Sequence, residues 1–416
     1  MEIGDLVLVS VDDHVVEPPD VFEGRLPKKY VDAAPAFEVR ADGASVWRYD
    51  DKEIVNVALN AVAGRPKEEY GFEPTCMEEI RPGCYDVDAR VKDMEAAGVL
   101  GSMCFPSFTG YVGRIFVQRS DRDEAAAMVR AYNDWHLDAW AGAHPERFIP
   151  LGIPMMWDPE ASATEVRRLA EKGCHAVTFS SNPYAIGLPS LYSDFWDPFW
   201  AACVETATVP CMHIGSSSTD VVSSPDAPAE SIYSLSPINL IEAATDVLWS
   251  PMLRKFPELR IALSEGGIGW IPYFLERVDY IFDHTQHWSG MDLGGRLPSE
   301  VFNEHVITCF IDDAVGLENR HHMNVDNMTW ELDYPHADTT WPHAPETLAR
   351  TLAGIPDDEI DKITHGNAMR HFQYDPFATI PREQATVGAL RQRVVDWDIE
   401  IRSVADLRPM AAADRS

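Results

Sequence analysis

Five residues of the types that bind metal ions stand at the ends of apolar runs. They are Asp12 and His14 after the first run, His213 in VPCMHIG, Glu265 after RIALS and Asp333 after MTWEL. A mixed set of imidazole and carboxylate donors suits zinc, manganese or iron. A bound ion lowers the pKa of coordinated water and polarises a carbonyl, and a remaining carboxylate can act as general base. The set predicts metal-dependent catalysis in which Asp333, Glu265 and His213 take part directly.

Each of these residues alone is a weak signal. The pattern D-x-H occurs by chance, and a single histidine in a strand is more often a hydrogen-bonded core residue than a ligand. A lone glutamate at a strand end usually sits in a solvated turn or caps a helix, and Asp333 before Tyr-Pro can simply begin a turn. A metal site is favoured because all of these residues stand at the ends of successive apolar runs.

The elements that must position these residues are eight short apolar runs, which have the composition of strands buried on both faces. The runs are Leu6–Val11, Gly101–Phe105, Phe148–Ile153, Ala176–Phe179, Val209–Ile214, Ile261–Leu263, Val306–Ile311 and Asn327–Leu332. Helical patterns lie between most of them. This alternation predicts an α/β protein with a (β/α)8 TIM barrel, and a doubly wound open sheet is the alternative. In a barrel the active site lies at the carboxyl ends of the strands, where all five residues fall.

Two segments interrupt the alternation. Residues 35–58 contain short strand patterns around two turns, which predicts a small antiparallel insertion after strand 1. Residues 216–231 are small and polar, and we expect a long loop after the fifth strand. The predicted organisation is a metal-dependent barrel domain over residues 1–385, with the insertion at about 30–85. A C-terminal helix, predicted over Val387–Trp397, and a tail that frays at its end follow over residues 386–416.

Further polar residues lie beside the predicted site. His336 and Asp338 follow Asp333 on the same loop and either orient a ligand, contact the substrate or are ordinary loop residues. The segment Ser180–Asn182 ends the fourth apolar run and is placed to line the pocket. His175 begins that run, on the opposite face of a barrel, where we expect a structural role.

Composition limits the partners. Asp and Glu total 67 against 34 Lys and Arg, a formal charge of −33, which repels nucleic acid and anionic lipid. No apolar stretch approaches the roughly 18 residues of a membrane-spanning helix, and the N-terminus lacks the basic region of a signal peptide. The seven cysteines, an odd number with no C-x-x-C pair, indicate reduced thiols. We therefore expect a cytoplasmic protein that acts on a small molecule and binds neither nucleic acid nor membranes.

The segments around the five residues resemble the amidohydrolase superfamily, and more closely its branch of aminocarboxymuconate-semialdehyde-decarboxylase-like proteins. The resemblance rests on Asp12-x-His14-VVEPP, on His213, on the segment SEGGIGWIP around Glu265 and on DYPHADTTWP from Asp333. It implies a TIM barrel with a metal at its C-terminal face and carries Asp12, His14, His213 and Asp333 over as ligands. The branch typically has H-x-H in the first strand, where this chain has Asp12, and a histidine after the sixth strand, where this chain has Glu265.

These departures weigh against decarboxylation and add carboxylates that can hold a second metal or act as base. The leading hypothesis is a metal-dependent hydrolase of an amide, ester, thioester or activated carbonyl of a small organic substrate, with one or two Zn, Fe or Mn ions per chain. The alternatives are a non-oxidative decarboxylase of an aromatic or enol acid, a non-haem mono-iron or di-iron oxygenase, and a metal-stabilised binding protein without turnover. A homodimer is the expected oligomer only because symmetric pairs are common.

Overall fold

The structure is a computed structural model that describes residues 1–56, 58–217 and 221–406. The predicted fraying of the final residues, and residues 218–220 of the predicted polar loop, lie outside these ranges. The strands are β1 Val9–Val15, β2 Ala36–Val39, β3 Ser45–Tyr49, β4 Lys52–Ile54, β5 Gly101–Pro106, β6 Phe148–Ile149, β7 Ala176–Ser180, β8 Val209–His213, β9 Ile261–Ser264, β10 Val306–Phe310 and β11 Met328–Trp330.

The helices follow the alternation that the sequence predicts. They are α1 Val87–Ala97, α2 Arg114–Val117, α3 Arg122–Trp135, α4 Pro159–Glu171, α5 Asp197–Thr206, α6 Ala229–Leu235, α7 Pro237–Trp249, α8 Met252–Lys255, α9 Ile271–Ser289, α10 Pro298–His305, α11 Ala314–Glu318, α12 Ala344–Thr351, α13 Asp357–Asp361, α14 Asn367–His371 and α15 Val387–Gln392. Across the described ranges, no helix is both long and apolar enough to cross a bilayer.

Eight strands form one sheet in the order β6-β5-β1-β11-β10-β9-β8-β7, and β2-β3-β4 form a separate sheet. In the large sheet β1 pairs with β5, β5 with β6, β7 with β8, β8 with β9, β9 with β10 and β10 with β11, all in parallel. The pairings of the small sheet are antiparallel. Neighbours in the large sheet follow one another along the chain, and its first strand lies beside its last. This is the order of a (β/α)8 barrel, because a doubly wound sheet reverses its strand order at a switch point. The predicted TIM barrel with a small antiparallel insertion after strand 1 is confirmed.

Two strands end four residues away from the ends of the apolar runs that predicted them. β1 extends to Val15 and all seven of its residues are buried, so Asp12 and His14 lie inside the strand and not beyond its end. The apolar criterion misplaced this end because the last part of β1 carries buried ionisable side chains. β6 ends at Ile149, directly before Pro150, whose nitrogen has no hydrogen to give to a neighbouring strand.

The chain divides into two compact units. The first comprises Met1–Ile153, Leu332–Thr347 and the residues from Asp375 onward, and it contains β1 to β6. In this unit the insertion contributes a fully buried tryptophan to the core. Trp47 of β3 stacks on Phe108 with ring centroids 4.1 Å apart, so the insertion packs on the loop that follows β5.

The second unit comprises Pro154–Glu331 and Leu348–Tyr374 and contains β7 to β11. Its core includes an aromatic group in which Phe179 of β7 lies 5.0 Å from Trp196, 5.2 Å from Phe199 and 4.7 Å from Trp200, measured between ring centroids. Large buried aromatic surfaces of this kind dominate core stability. They fix the position of β7 and hence of the residues at its carboxyl end.

Helix α1 and the C-terminal helix α15 meet at a glycine. The side chain of Asp86 caps α1 by accepting from the N–H of Ala89, and the helix ends at Gly98, whose φ is 72°. A Cβ at Gly98 would lie 2.8 Å from Cγ1 of Val387, at the start of α15. The sequence predicted this C-terminal helix over Val387–Trp397, and it ends earlier, at Gln392.

Replacing Gly98 with alanine therefore combines backbone strain with a steric clash. Gly173 is a matched control, since its φ is 84° but no atom lies within 4 Å of its Cβ position. We expect Gly173→Ala to lower the free energy of unfolding by about 1 kcal/mol and Gly98→Ala to lower it by about 3 kcal/mol. Urea denaturation of both variants measures the difference. Equal losses of unfolding free energy in the two variants would show that α15 moves away from the added methyl group at no measurable cost in stability.

Candidate metal centre and active site

The first unit brings four of the predicted residues together around one imidazole. Nε2 of His14 lies 3.1 Å from Oδ1 of Asp333 and 3.5 Å from Oδ1 of Asp12, and these three side chains are fully buried. The ring of His336 stacks on that of His14 at 3.6 Å, and its Nδ1 is 3.0 Å from Oδ1 of Asp333. The donor atoms of His14, Asp333 and His336 lie within 4.8 Å of one another, as do those of Asp12 and His14.

Backbone hydrogen bonds place Asp333 beside β1. Its N–H donates to the carbonyl of Asp12 at 2.9 Å, and the N–H of His14 donates to the carbonyl of Tyr334 at 2.7 Å. The φ of Asp333 is 56°, a left-handed conformation that aspartate adopts more readily than most residues. The segment after β11 is thus held along β1, beside the side chains of Asp12, His14, Asp333 and His336. These four side chains are called the donor group below.

Tyr334, the residue after Asp333, is held by hydrogen bonds to residues outside the donor group. The hydroxyl of Tyr334 donates to Oδ2 of Asp93 at 2.5 Å. Asp93 also accepts from Arg81 at 2.6 Å and from the indole N–H of Trp397 at 2.8 Å. The position of Asp333 therefore depends on a buried carboxylate of α1 and on the C-terminal segment.

Asp13, between the two predicted ligands, has a different environment. Its carboxylate accepts hydrogen bonds from the hydroxyls of Ser10 and Ser102 and from the N–H of Tyr334. Burial raises the pKa of Asp13 to about 7, against the opposing effects of Arg90 and these hydrogen bonds. These partners give Asp13 a structural role in holding β1 to its neighbours.

The second unit pairs the other two predicted residues. Nε2 of His213, at the end of β8, lies 3.0 Å from Oε2 of Glu265, which follows β9. The other ring nitrogen of His213 is 2.6 Å from the carbonyl of Ile214, which fixes the orientation of the ring. Glu265 has a φ of 67°, so the chain turns sharply where the carboxylate leaves the strand. The pair can hold and transfer a proton.

A buried carboxylate that the sequence analysis missed supports Glu265. Glu331 accepts from the N–H of Glu265 at 3.2 Å and from the thiol of Cys309 at 2.5 Å. Its position gave a usable signal. It stands directly after β11, at the carboxyl end of a barrel strand, where active-site residues gather.

The remaining predicted residues fall in two classes. His336 touches Asp333, whereas Asp338 on the same loop is exposed. Nδ1 of His175 lies 3.0 Å from the carbonyl of Thr206, and the residue precedes β7. This is the amino end of a barrel strand, and the structural role of His175 stays a prediction.

Glu17, three residues after His14, was also overlooked. Its carboxylate is fully buried and accepts from the N–H groups of Ser107 and Phe108, both at 3.0 Å, and from the hydroxyl of Tyr132 at 3.1 Å. Burial raises the pKa of Glu17 to about 7. These bonds hold the start of the loop after β5.

The same loop carries an aromatic side chain to the donor group. The ring of Tyr111 lies 5.7 Å from that of His14 and is tilted by 59°. No spacing in the sequence distinguished this tyrosine from the many that fill the core. Glu17 therefore supports the site at a distance, through the loop that holds Tyr111.

The donor group of the first unit fits a divalent cation. Asp12 and Asp333 are both buried, and charged carboxylates are stable in such a setting only with a positive partner or strong hydrogen bonds. Imidazole nitrogen and carboxylate oxygen together are the ligands of zinc, manganese and iron. His336 is placed to orient Asp333, as outer residues orient metal ligands elsewhere.

Comparison with known proteins identifies the fold. The model of the amidohydrolase family matches residues 57–373. A 2-amino-3-carboxymuconate-6-semialdehyde decarboxylase of Dictyostelium discoideum is 21% identical over 306 residues, which is 72% of this chain and 79% of that protein. Together, the family and the donor group confirm the predicted metal-dependent enzyme with a divalent cation as cofactor.

Solved structures show the same barrel. An amidohydrolase of Mycobacterium avium subsp. paratuberculosis superposes with a TM-score of 0.69 at 18% identity, covering 88% of this chain and 97% of its own. A 5-carboxyvanillate decarboxylase of Novosphingobium aromaticivorans, with bound manganese and 3-methoxy-4-hydroxy-5-nitrobenzoic acid, gives a TM-score of 0.59 at 19% identity, covering 90% of this chain and 99% of its own.

Removal of Asp333 tests the donor group. We expect Asp333→Ala to lose most of the bound metal, because a buried candidate ligand and the partner of His14 disappear together. His175→Ala is the control and should retain metal while losing stability. Elemental analysis of both purified variants, without added metal, measures the effect. Full metal content in Asp333→Ala would refute the ligand assignment.

The buried Glu17 predicts a pH dependence of stability. Its pKa rises from 4.5 to about 7 on folding, so the folded protein retains a proton that the unfolded chain releases between these values. Its stabilising contribution is complete below pH 4.5 and is lost as the pH rises through 7. Relative to Glu17→Gln, the free energy of unfolding of the wild type should fall by about 3 kcal/mol over this interval. Urea denaturation across pH measures it, and a constant difference would contradict the shift.

Proposed function

Because the chain belongs to the amidohydrolase family, we propose that it catalyses the metal-dependent, non-oxidative decarboxylation of an aromatic or enol acid. The sequence alone favoured hydrolysis, with decarboxylation as the alternative. Both the Dictyostelium relative and the carboxyvanillate enzyme are decarboxylases, and this supports the alternative better. The observation that carries the proposal is the buried carboxylate and imidazole group around His14, on the fold of those enzymes.

The proposed ligands are Asp12, His14, His213 and Asp333. Asp12 and His14 lie in the last part of β1, Asp333 lies three residues after β11, and His213 ends β8 in the second unit. Barrel enzymes build their sites from the carboxyl ends of strands. The manganese of the carboxyvanillate enzyme supports manganese as the ion, with zinc and iron as the other candidates. A divalent cation held by these residues would supply Lewis-acid polarisation of the substrate.

Decarboxylation breaks the bond between the ring or enol carbon and the carboxylate. Carbon dioxide leaves, and the electron pair that remains on the carbon takes up one proton. Glu265 is the proposed proton donor, and His213, 3.0 Å from it, shares that proton. Asp333, 3.0 Å from Nδ1 of His336, is the second group placed to hold a proton.

Hydrolysis is the second candidate, and one observation favours it. The family branch typically has a histidine where this chain has Glu265, and a carboxylate in contact with His213 suits removal of a proton from water. The two reactions differ in the fate of the substrate. Decarboxylation releases carbon dioxide, whereas hydrolysis places solvent oxygen in the product.

The test uses manganese-loaded protein under anaerobic conditions with a panel of hydroxybenzoic and enol acids. We expect release of carbon dioxide and uptake of one solvent deuterium on the product carbon. Glu265→Gln should lower kcat by at least about a hundredfold, the usual contribution of a general acid, and keep its metal. Incorporation of solvent oxygen from esters or amides, without carbon dioxide, would establish hydrolysis. Turnover that requires oxygen would establish an oxygenase.

A further inference from the structure

Three buried hydroxyl groups in β7 and directly after it have no hydrogen-bond partner among the residues that the structure describes. Oγ1 of Thr178 and the Oγ atoms of Ser180 and Ser181 are buried and bond to no other atom of the described residues. All three residues are at most 2% exposed. Most buried polar atoms in native proteins are hydrogen-bonded, so a run of three such groups requires an explanation.

The pairing of β7 with β8 places one of these hydroxyls next to a predicted ligand. Ser180 is the register partner of His213, and Thr178 is the partner of Cys211. Side chains of partners in a parallel ladder project to the same face of the sheet. The hydroxyl of Ser180 therefore shares a face with the His213 imidazole at the carboxyl end of the barrel strands.

Ser181 is fixed to the same place by a chain of hydrogen bonds. Its N–H donates to Oγ of Ser216 at 2.8 Å, and the hydroxyl of Ser216 donates to the carbonyl of His213 at 2.6 Å. The backbone after β7 is thus tied to the end of β8. The backbone that carries the Ser181 hydroxyl is therefore fixed before any ligand arrives, which favours a preorganised binding group.

We propose that the hydroxyls of Ser180 and Ser181 form a carboxylate subsite beside His213, in which both donate hydrogen bonds to the acid group of the substrate. The inference rests on the proposed function for its substrate class. Two neighbouring donors match the two oxygens of one carboxylate, and a charged acceptor strengthens each bond. Neutral donors also release the group readily once it becomes carbon dioxide, which has lost the negative charge.

The chain offers a matched control for the loss of a buried hydroxyl. Oγ of Ser162 is likewise buried and without a partner in the described residues, but it belongs to helix α4. The variants Ser180→Ala, Ser181→Ala and Ser162→Ala remove the same atom from equally buried positions. Any effect confined to the first two belongs to the site and not to the interior in general.

The experiment measures binding of a hydroxybenzoic acid, and of the corresponding phenol without the carboxylate, to manganese-loaded protein by calorimetry. We expect roughly tenfold weaker binding of the acid to Ser180→Ala and to Ser181→Ala, with phenol binding and metal content unchanged. Ser162→Ala should bind both compounds like the wild type. Unchanged acid binding in both site variants, or an equal loss in Ser162→Ala, overturns the subsite.

The outcomes for the subsite and for the reaction are separable. Acid binding that depends on Ser180 and Ser181 in a protein that releases no carbon dioxide supports the subsite and refutes the proposed reaction. Carbon dioxide release with unaltered acid binding in both variants refutes the subsite alone. A wild-type protein that binds none of the acids refutes both.

Discussion

Two buried carboxylates that face one imidazole nitrogen constrain the structure of the first unit. Asp12 and Asp333 lie 3.5 and 3.1 Å from Nε2 of His14, inside a part of the core from which water is excluded. Like charges so close repel one another, and only a cation, protons or fixed donors make their burial stable. The local features follow from this constraint. Ionisable residues lie within a strand, the chain after β11 takes a left-handed turn, and a second imidazole packs on the first.

The support for this group comes from parts of the chain that are far apart in sequence. The family match begins at residue 57, after β1, and ends at residue 373, before Trp397. Yet the carboxylate of Asp93 accepts hydrogen bonds from the indole of Trp397 and from the hydroxyl of Tyr334. The carbonyl of Tyr334 in turn accepts one from the N–H of His14. Segments outside the matched span thus complete the geometry of the site. They do so because a rigid donor group needs residues whose own positions are fixed by packing and hydrogen bonds.

The sequence predicted the barrel and its antiparallel insertion, because apolar runs separated by helical patterns and turns are regular and readable. The roles of the five donor residues stay a prediction. The sequence placed the end of β1 wrongly and overlooked Glu17 and Glu331, since a buried carboxylate looks like a surface residue until its partners are known. Asp338 lies two residues beyond His336 on the same loop, and both are residue types that can bind metal. His336 contacts Asp333, whereas Asp338 is exposed. Spacing could not separate the two, nor choose between hydrolysis and decarboxylation, because both reactions use the same metal ligands.

The charge of the chain explains why an acid substrate would be held by hydroxyl groups and a cation. A formal charge of −33 repels anions as they approach, so long-range attraction cannot supply the affinity. Salt screens that repulsion beyond about 8 Å, which leaves the outcome to contacts inside the site. There the proposed divalent cation would supply the positive charge, and the hydroxyls of Ser180 and Ser181 would orient the acid without a further charge that needs desolvation. Selectivity for an acid can therefore arise within an acidic protein, provided that its donors are buried and already in place.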